Sequence, residues 1–175
     1  MSEELTHATI YVPVALVTAL AMELWAALLH GKLWHRWLWF VHVSHHRARA
    51  PGQRFEANDA LSSTHAPVAI ALILFGCRAA PSVLREVAFG VGIGMSLFGV
   101  AYLIMHDGLV HRRLPVRWLL RFGYVREIYR AHLIHHTGRE GRAPYGFFLA
   151  PWELARITRS RSTPSERAPR PSASP

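Results

Sequence analysis

Twelve histidines in a chain of 175 residues exceed any packing need, and ten of them fall into four groups. His30 and His35 form an H-x4-H pattern, and His42, His45 and His46 form H-x2-H-H. His106 and His111 repeat the first pattern, and His132, His135 and His136 repeat the second. Neutral imidazole is the commonest protein metal ligand, and ten together are more than one ion accepts. Two ions sharing about eight to ten nitrogens is the natural count. Imidazole suits iron, zinc, copper and nickel alike, so ligand type leaves the element open. The single cysteine, Cys77, excludes a disulfide framework and any thiolate-based zinc or iron–sulfur site. No side chain outside such a metal centre reads as catalytic.

On an α-helix, positions i, i+3 and i+4 share a face, so each H-x2-H-H box should aim three imidazoles in one direction. Positions i and i+5 lie about 140° apart at about 100° per residue. Gly31 and Gly108 sit inside the H-x4-H boxes, where a glycine can end the helix and let the second histidine swing back. Otherwise the two members of such a box serve different metals. His7 and His65 match no box and read as hydrogen-bonded structural or surface residues.

The elements that must position these boxes are apolar. The composition is 51% hydrophobic and 18% charged, with a mean hydropathy of +0.13. Residues 10–29 carry one charge, Glu23, over a length that matches the roughly 20 residues needed to cross a hydrocarbon core. Residues 60–77 and 87–105 give a second and a third span. Gly90, Gly94 and Gly99 in the third should let neighbouring helices approach closely. Gly90, Gly92 and Gly94 lie inside an apolar span, so their alternation reads as packing and not as a nucleotide fingerprint.

Of twenty Lys and Arg, only Arg78 and Arg85 fall in residues 1–9 and 78–86, which leaves eighteen on the other side. The positive-inside tendency therefore places residues 30–59 and 106–175 in the cytoplasm and brings all four boxes to one face of the inner membrane. The acidic residues ahead of the first span do not read as a secretory signal. A formal charge of +9 would also suit nucleic acid, but the apolar spans decide for the lipid bilayer and against nucleic acid. The expected fold is an all-α integral membrane protein with three transmembrane helices, a fourth left open, and a cytoplasmic histidine-rich di-metal site. Residues 1–155 should form the membrane-embedded domain and 156–175, rich in Arg, Ser and Pro, a disordered basic tail against lipid.

Three acidic residues are candidates to orient the ligands. Glu23 lies seven residues before His30 on the same helical face, and a carboxylate inside a span needs a partner. A hydrogen bond to a ligand imidazole is expected, with a contact to Ser or Thr of another span as the alternative. Asp107 and Asp59 have the same candidate role, although Asp59 also suits a helix cap for the second span. Trp34, Trp37 and Trp39 fit either a substrate mouth or an interfacial aromatic belt. Arg112, Arg113, Arg117 and Arg121 make a basic surface for an acidic electron donor or anionic lipid. A narrow slot between the three spans, lined by Gly94 and Gly99, would admit an apolar rod.

The four-box spacing resembles the membrane-bound fatty acid hydroxylase superfamily. The intervening residues are similar, more narrowly, to its bacterial β-carotene hydroxylase branch. The resembling segments are Met22-Glu23, Phe55-Glu56-Ala57-Asn58-Asp59, the run from His106 to Arg113, Ala131 to His136, Arg139-Glu140-Gly141, and Tyr145 to Pro151. The resemblance implies two non-haem irons and O2, with hydroxylation at C3 and C3′ of the β-ionone rings of a carotenoid, giving β-cryptoxanthin and then zeaxanthin. With no reductase motif in the chain, electrons should come from an external ferredoxin-like donor. Sterol or fatty acyl hydroxylation by the same boxes is the rival reading. A metal transporter is the third, disfavoured because carriers place ligands near the bilayer midplane.

Overall fold

The computed structural model describes residues 3–47, 50, 53, 55–137 and 143–162. Helix α1, Glu3–Leu28, runs without a break into a π-helical segment, Leu29–Trp34. Short helices α2, Trp39–His46, and α3, Asn58–Ser62, lead to α4, His65–Arg78. Helix α5, Val83–Tyr102, continues into a second π-helical segment, Leu103–Val110. A 3-10 turn, Arg117–Arg121, precedes α6, Gly123–Thr137, and α7, Ala150–Ser162, closes the described chain.

Three stretches are long and apolar enough to cross a membrane: His7–Trp34, Asn58–Arg78 and Val83–Val110. They contain the three expected spans. Helix α7, at 13 residues, is shorter than the roughly 20 a crossing needs, so the described residues provide no fourth. That helix runs through Ser162, across residue 155. Residues 163–175 and the Arg139-Glu140-Gly141 run lie outside the described residues.

Helix α5 is the centre of the bundle, and α1 and α4 both pack along it. Its start is fixed by Ser82, whose hydroxyl accepts from the Arg85 N–H at 3.2 Å. Its glycines divide their work between the neighbours. A Cβ at Gly90 would meet the Tyr11 carbonyl of α1 at 2.7 Å, one at Gly94 would strike the Ala15 carbonyl, and one at Gly92 would meet the Ala69 carbonyl of α4 at 2.9 Å. Gly99 has open space around it, so close approach is not its role, contrary to the expectation. Because α1 fills the space at Gly94, no slot runs there either.

Glu86 lies in the first turn of α5, nearly buried. It pairs with Arg85 Nη2 at 2.8 Å and with His7 Nδ1 at 2.9 Å. His7 is thus a structural residue that fastens α1 to α5 at the end of the bundle opposite the boxes.

Candidate metal centre

The two π-helical segments fall on the two H-x4-H boxes. His35 N–H donates to the His30 carbonyl, and His111 N–H to the His106 carbonyl, each at 3.0 Å. A hydrogen bond closed across five residues stacks i over i+5, which removes the 140° divergence expected of an α-helix. The glycines do not end the helices. A Cβ at Gly31 would meet the Tyr145 ring at 2.8 Å, and one at Gly108 would meet Leu114 at 3.0 Å, so they make room for neighbours. Both members of each box therefore enter the same group.

His30, His35, His42, His46 and His135 form one group, and His45, His106, His111 and His132 form another; within each, the ligand atoms lie within 4.8 Å of one another. His136 joins the second group, with Nε2 at 2.8 Å from His132 Nε2 and its ring 4.9 Å from that of His111. All ten boxed histidines thus meet at one end of the bundle. The H-x2-H-H boxes do not aim three imidazoles one way, as expected. Positions i+3 and i+4 fall on opposite sides of i, so each helix sits astride both groups. Helix α2 gives His42 and His46 to the first group and His45 to the second. Helix α6 gives His132 and His136 to the second and His135 to the first. The middle histidine of each box crosses over.

Hydrogen bonding on the far side of the rings fixes what the near side presents. His30 Nδ1–H donates to the Tyr145 carbonyl at 2.9 Å, His42 Nδ1–H to Asn58 Oδ1 at 2.6 Å, and His45 Nδ1–H to Glu56 Oε1 at 3.0 Å. Asn58 Nδ2 donates to Ser62 at 3.3 Å, which leaves Oδ1 facing the imidazole. With the hydrogen held on Nδ1, each Nε2 carries a bare lone pair. Yet two such lone pairs, on His30 Nε2 and His42 Nε2, face each other at 3.1 Å, and that of His45 Nε2 points at His106 Nε2 at 3.0 Å. Lone pairs that close repel unless a cation lies among them. The donor set fits a metal ion in each group.

Of the expected acidic residues, Asp107 lies beside a boxed imidazole, while Asp59 and Glu23 do not. Glu56, with Asn58 and the Tyr145 carbonyl, makes the direct contacts to imidazoles. Asp59 touches no imidazole: Oδ1 accepts from Arg113 Nη1 at 2.8 Å and Oδ2 from the Glu56 N–H at 3.0 Å. It is also not a cap, since Ala57 holds that position. Asp107 Oδ1 lies 3.4 Å from His106 Nδ1 and 3.5 Å from Arg113 Nη1. Arg113 Nη2 donates to Glu56 Oε1 at 2.6 Å, so this guanidinium ties the end of the third span to the start of the second. It is therefore not part of the basic surface, which keeps the exposed Arg112, Arg117 and Arg121.

Glu23 bonds to no imidazole and to no Ser or Thr. Seven residues of helix separate it from His30 by about 10 Å, and the turn of residues 145–149 fills that gap. Glu23 Oε1 accepts from the Phe147 and Leu149 N–H groups at 2.7 and 2.8 Å, and Glu153 Oε2 from those of Tyr145 and Gly146 at 2.9 and 3.0 Å. The two carboxylates hold the turn that offers its carbonyl to His30. Glu23→Leu strands two backbone donors and should cost about 3 kcal/mol. Glu23→Gln keeps the acceptor oxygen and should cost under about 1 kcal/mol. Unfolding of the two variants in detergent checks the difference.

A narrow apolar cavity opens beside the centre, with His30 of the first group and His132 of the second in its wall. Met22, Trp25, Ala26, Phe98 and Phe147 supply much of its lining. The three tryptophans part company. Trp34 lines the cavity, Trp39 packs on the His35 and His46 rings at 5.2 Å, and Trp37 is exposed.

The fatty acid hydroxylase family model matches residues 15–158. The chain belongs to the fatty acid hydroxylase family. Within it, the chain is 40% identical to a protein of Pseudescherichia vulneris named beta-carotene hydroxylase, over 85% of this chain and 82% of that protein. It is 41% identical to beta-carotene 3-hydroxylase 2 of Arabidopsis thaliana, over 79% of this chain and 45% of that protein. It is 42% identical to beta-carotene 3-hydroxylase of Haematococcus lacustris, over 79% of this chain and 43% of that protein. The chain spans less than half the length of these two chloroplast proteins. No solved structure gives a significant match.

In this member of the fatty acid hydroxylase family, the imidazoles outside the spans are held neutral. Burial pushes His42 down to about 4, His46 to about 2 and His136 to about 3, with neighbouring imidazoles adding to each shift. His45 and His132 are driven well below the ordinary histidine range, again by burial first. Above the unfolded value of about 6.5, neither state binds these protons. Below it, the unfolded chain takes protons that the folded one refuses, so stability falls with pH. After chelation, the melting temperature should be lower at pH 5.5 than at pH 7.5. A melting temperature that rises on acidification would contradict neutral imidazoles.

Proposed function

We propose that the chain is a non-haem di-iron hydroxylase that uses O2 to hydroxylate the β-ionone rings of β-carotene at C3 and C3′, giving β-cryptoxanthin and then zeaxanthin. The observation that carries this reading is the apolar cavity whose wall includes an imidazole from each cation-demanding group, in a chain so similar to proteins named as carotene hydroxylases. The two irons, when bound, supply the oxidising power to take a hydrogen atom from an unactivated ring carbon, with O2 and electrons from a ferredoxin-like donor. The histidines of each group would hold an ion. Glu56, Asn58 and the Tyr145 carbonyl orient the imidazoles through Nδ1. The lining keeps water away and lays the ring against both groups.

The eighteen basic residues on the box side favour a cytoplasmic position for the centre in the cell inner membrane. There Arg112, Arg117 and Arg121 face an acidic donor. A C40 carotenoid is a rod that lies across the bilayer with a ring near each face, so a centre at one end reaches one ring at a time. Hydroxylation is therefore stepwise. In a host that makes β-carotene and supplies a ferredoxin, chromatography of pigments over time should show β-cryptoxanthin first and zeaxanthin later. Unchanged β-carotene beside new hydroxylated lipids would move the assignment to acyl or sterol substrates.

A further inference from the structure

The cavity beside the metal centre has a polar fastening at its edge. Trp25 is the most exposed of its lining residues, at 47%, so the cavity meets its surroundings there. Trp25 stands nine residues before the end of the first membrane-length helix, inside its apolar stretch, so across a bilayer this opening would border hydrocarbon. Trp25 Nε1–H donates to His65 Nε2 at 2.8 Å. His65 is the first residue of α4, and it too lines the cavity.

This hydrogen bond joins α1 to α4, two helices that pack along α5 and owe their main contacts to it. Both groups need the bond, because neither an indole N–H nor an imidazole finds a partner in lipid. An interhelical hydrogen bond of this kind is modest in strength even inside a bilayer, so it closes the edge without sealing it. We propose that Trp25 and His65 form a latch across a lateral portal, through which an apolar ring-ended substrate enters from the bilayer by parting α1 from the start of α4. The inference rests on the reading of this cavity as the substrate site. The groove on the other side of α1 offers a poorer entrance, since Glu23, Glu153 and Arg156 line it.

The test reads access to the cavity apart from turnover. In the iron-loaded protein in lipid nanodiscs, Cys77→Ser removes the one native thiol, and Met22→Cys places a reporter in the cavity wall. A lipophilic maleimide dissolved in the bilayer then labels it. Trp25→Phe keeps the ring and loses the donor, and should speed labelling about fivefold, the worth of one such bond. His65→Leu should do the same, and the two together should add nothing. A control thiol from Val17→Cys, on the lipid face of α1, should label at one rate in every background. Unchanged labelling of the cavity thiol overturns the latch. So does equal acceleration at both thiols, which is general loosening, or loss of iron in Trp25→Phe, which places the pair in the scaffold of the metal centre. β-Carotene added to the nanodiscs should protect the cavity thiol. If the labelling rates respond as expected and only an acyl lipid protects, the latch stands and the carotenoid reading falls.

Discussion

Alanine at His45 will remove iron from the group completed by the second half of the chain, and alanine at His135 will remove it from the group begun by the first. Each variant should retain about one iron against the two proposed for the parent, and should lose hydroxylation about 100-fold or more, at the upper end of what disturbed metal sites show. The expectation follows from the crossing of the middle histidines. His45 stands in sequence between His42 and His46, but its Nε2 faces His106, while those of its two neighbours face the first group. In metal content and Mössbauer spectrum, His45→Ala should therefore resemble His106→Ala and differ from His42→Ala. His135→Ala should in turn resemble His35→Ala, since those two Nε2 atoms meet at 3.1 Å. If the variants sort by box and not by spatial group, the crossed arrangement is wrong.

Two glycines five residues apart on α5 should respond to alanine with opposite sign. At Gly94 the new methyl would strike the Ala15 carbonyl and lie 2.6 Å from Thr18 Cβ, against a helix that cannot yield locally. Gly94→Ala should destabilise by about 3 kcal/mol, as overpacking of a close contact does. At Gly99 nothing stands within 4 Å, so alanine adds no clash and restricts the unfolded chain. Gly99→Ala should stabilise by about 0.5–1 kcal/mol, the helix-propensity difference. Unfolding in mixed micelles measures both. A Gly94→Ala protein as stable as the parent would mean that α1 does not lie where this packing puts it.

The spans were legible because twenty apolar residues in a row permit few structures. The convergence of the boxes followed, since three crossings return the chain to one face. What was not legible was how residues five apart come to share a face. The α-helical angle is a sound default, and nothing in Leu-His-Gly-Lys-Leu-Trp or Leu-Ile-Met-His-Asp-Gly-Leu-Val marks a π-helix. Only the demand of a shared centre selects it. The crossing of His45 and His135 escaped for a related reason: i, i+3 and i+4 share a face loosely, and a helix placed between two centres divides them. The Glu-x-Asn spacing at Glu56 and Asn58 carries the signal for the groups that orient His42 and His45, whereas the expected residue was their neighbour Asp59. Glu23 was rightly singled out as a carboxylate needing a partner. Its partners are main-chain N–H groups 124 and 126 residues away, and no local pattern announces those.

Because His135 belongs with histidines made a hundred residues earlier, assembly of the centre is tied to the schedule of synthesis. When α2 has left the ribosome, four nitrogens of the first group exist and the fifth does not; of the second group, only His45 has been made. A chain stalled in the third span presents imidazoles whose lone pairs oppose one another, with nothing to finish either cage. On the di-iron reading, neither group would be complete before α6 docks, so the finished centre would load late. Cells short of iron would accumulate a fully inserted but unloaded protein, and loading would be a post-translational event open to its own supply chain.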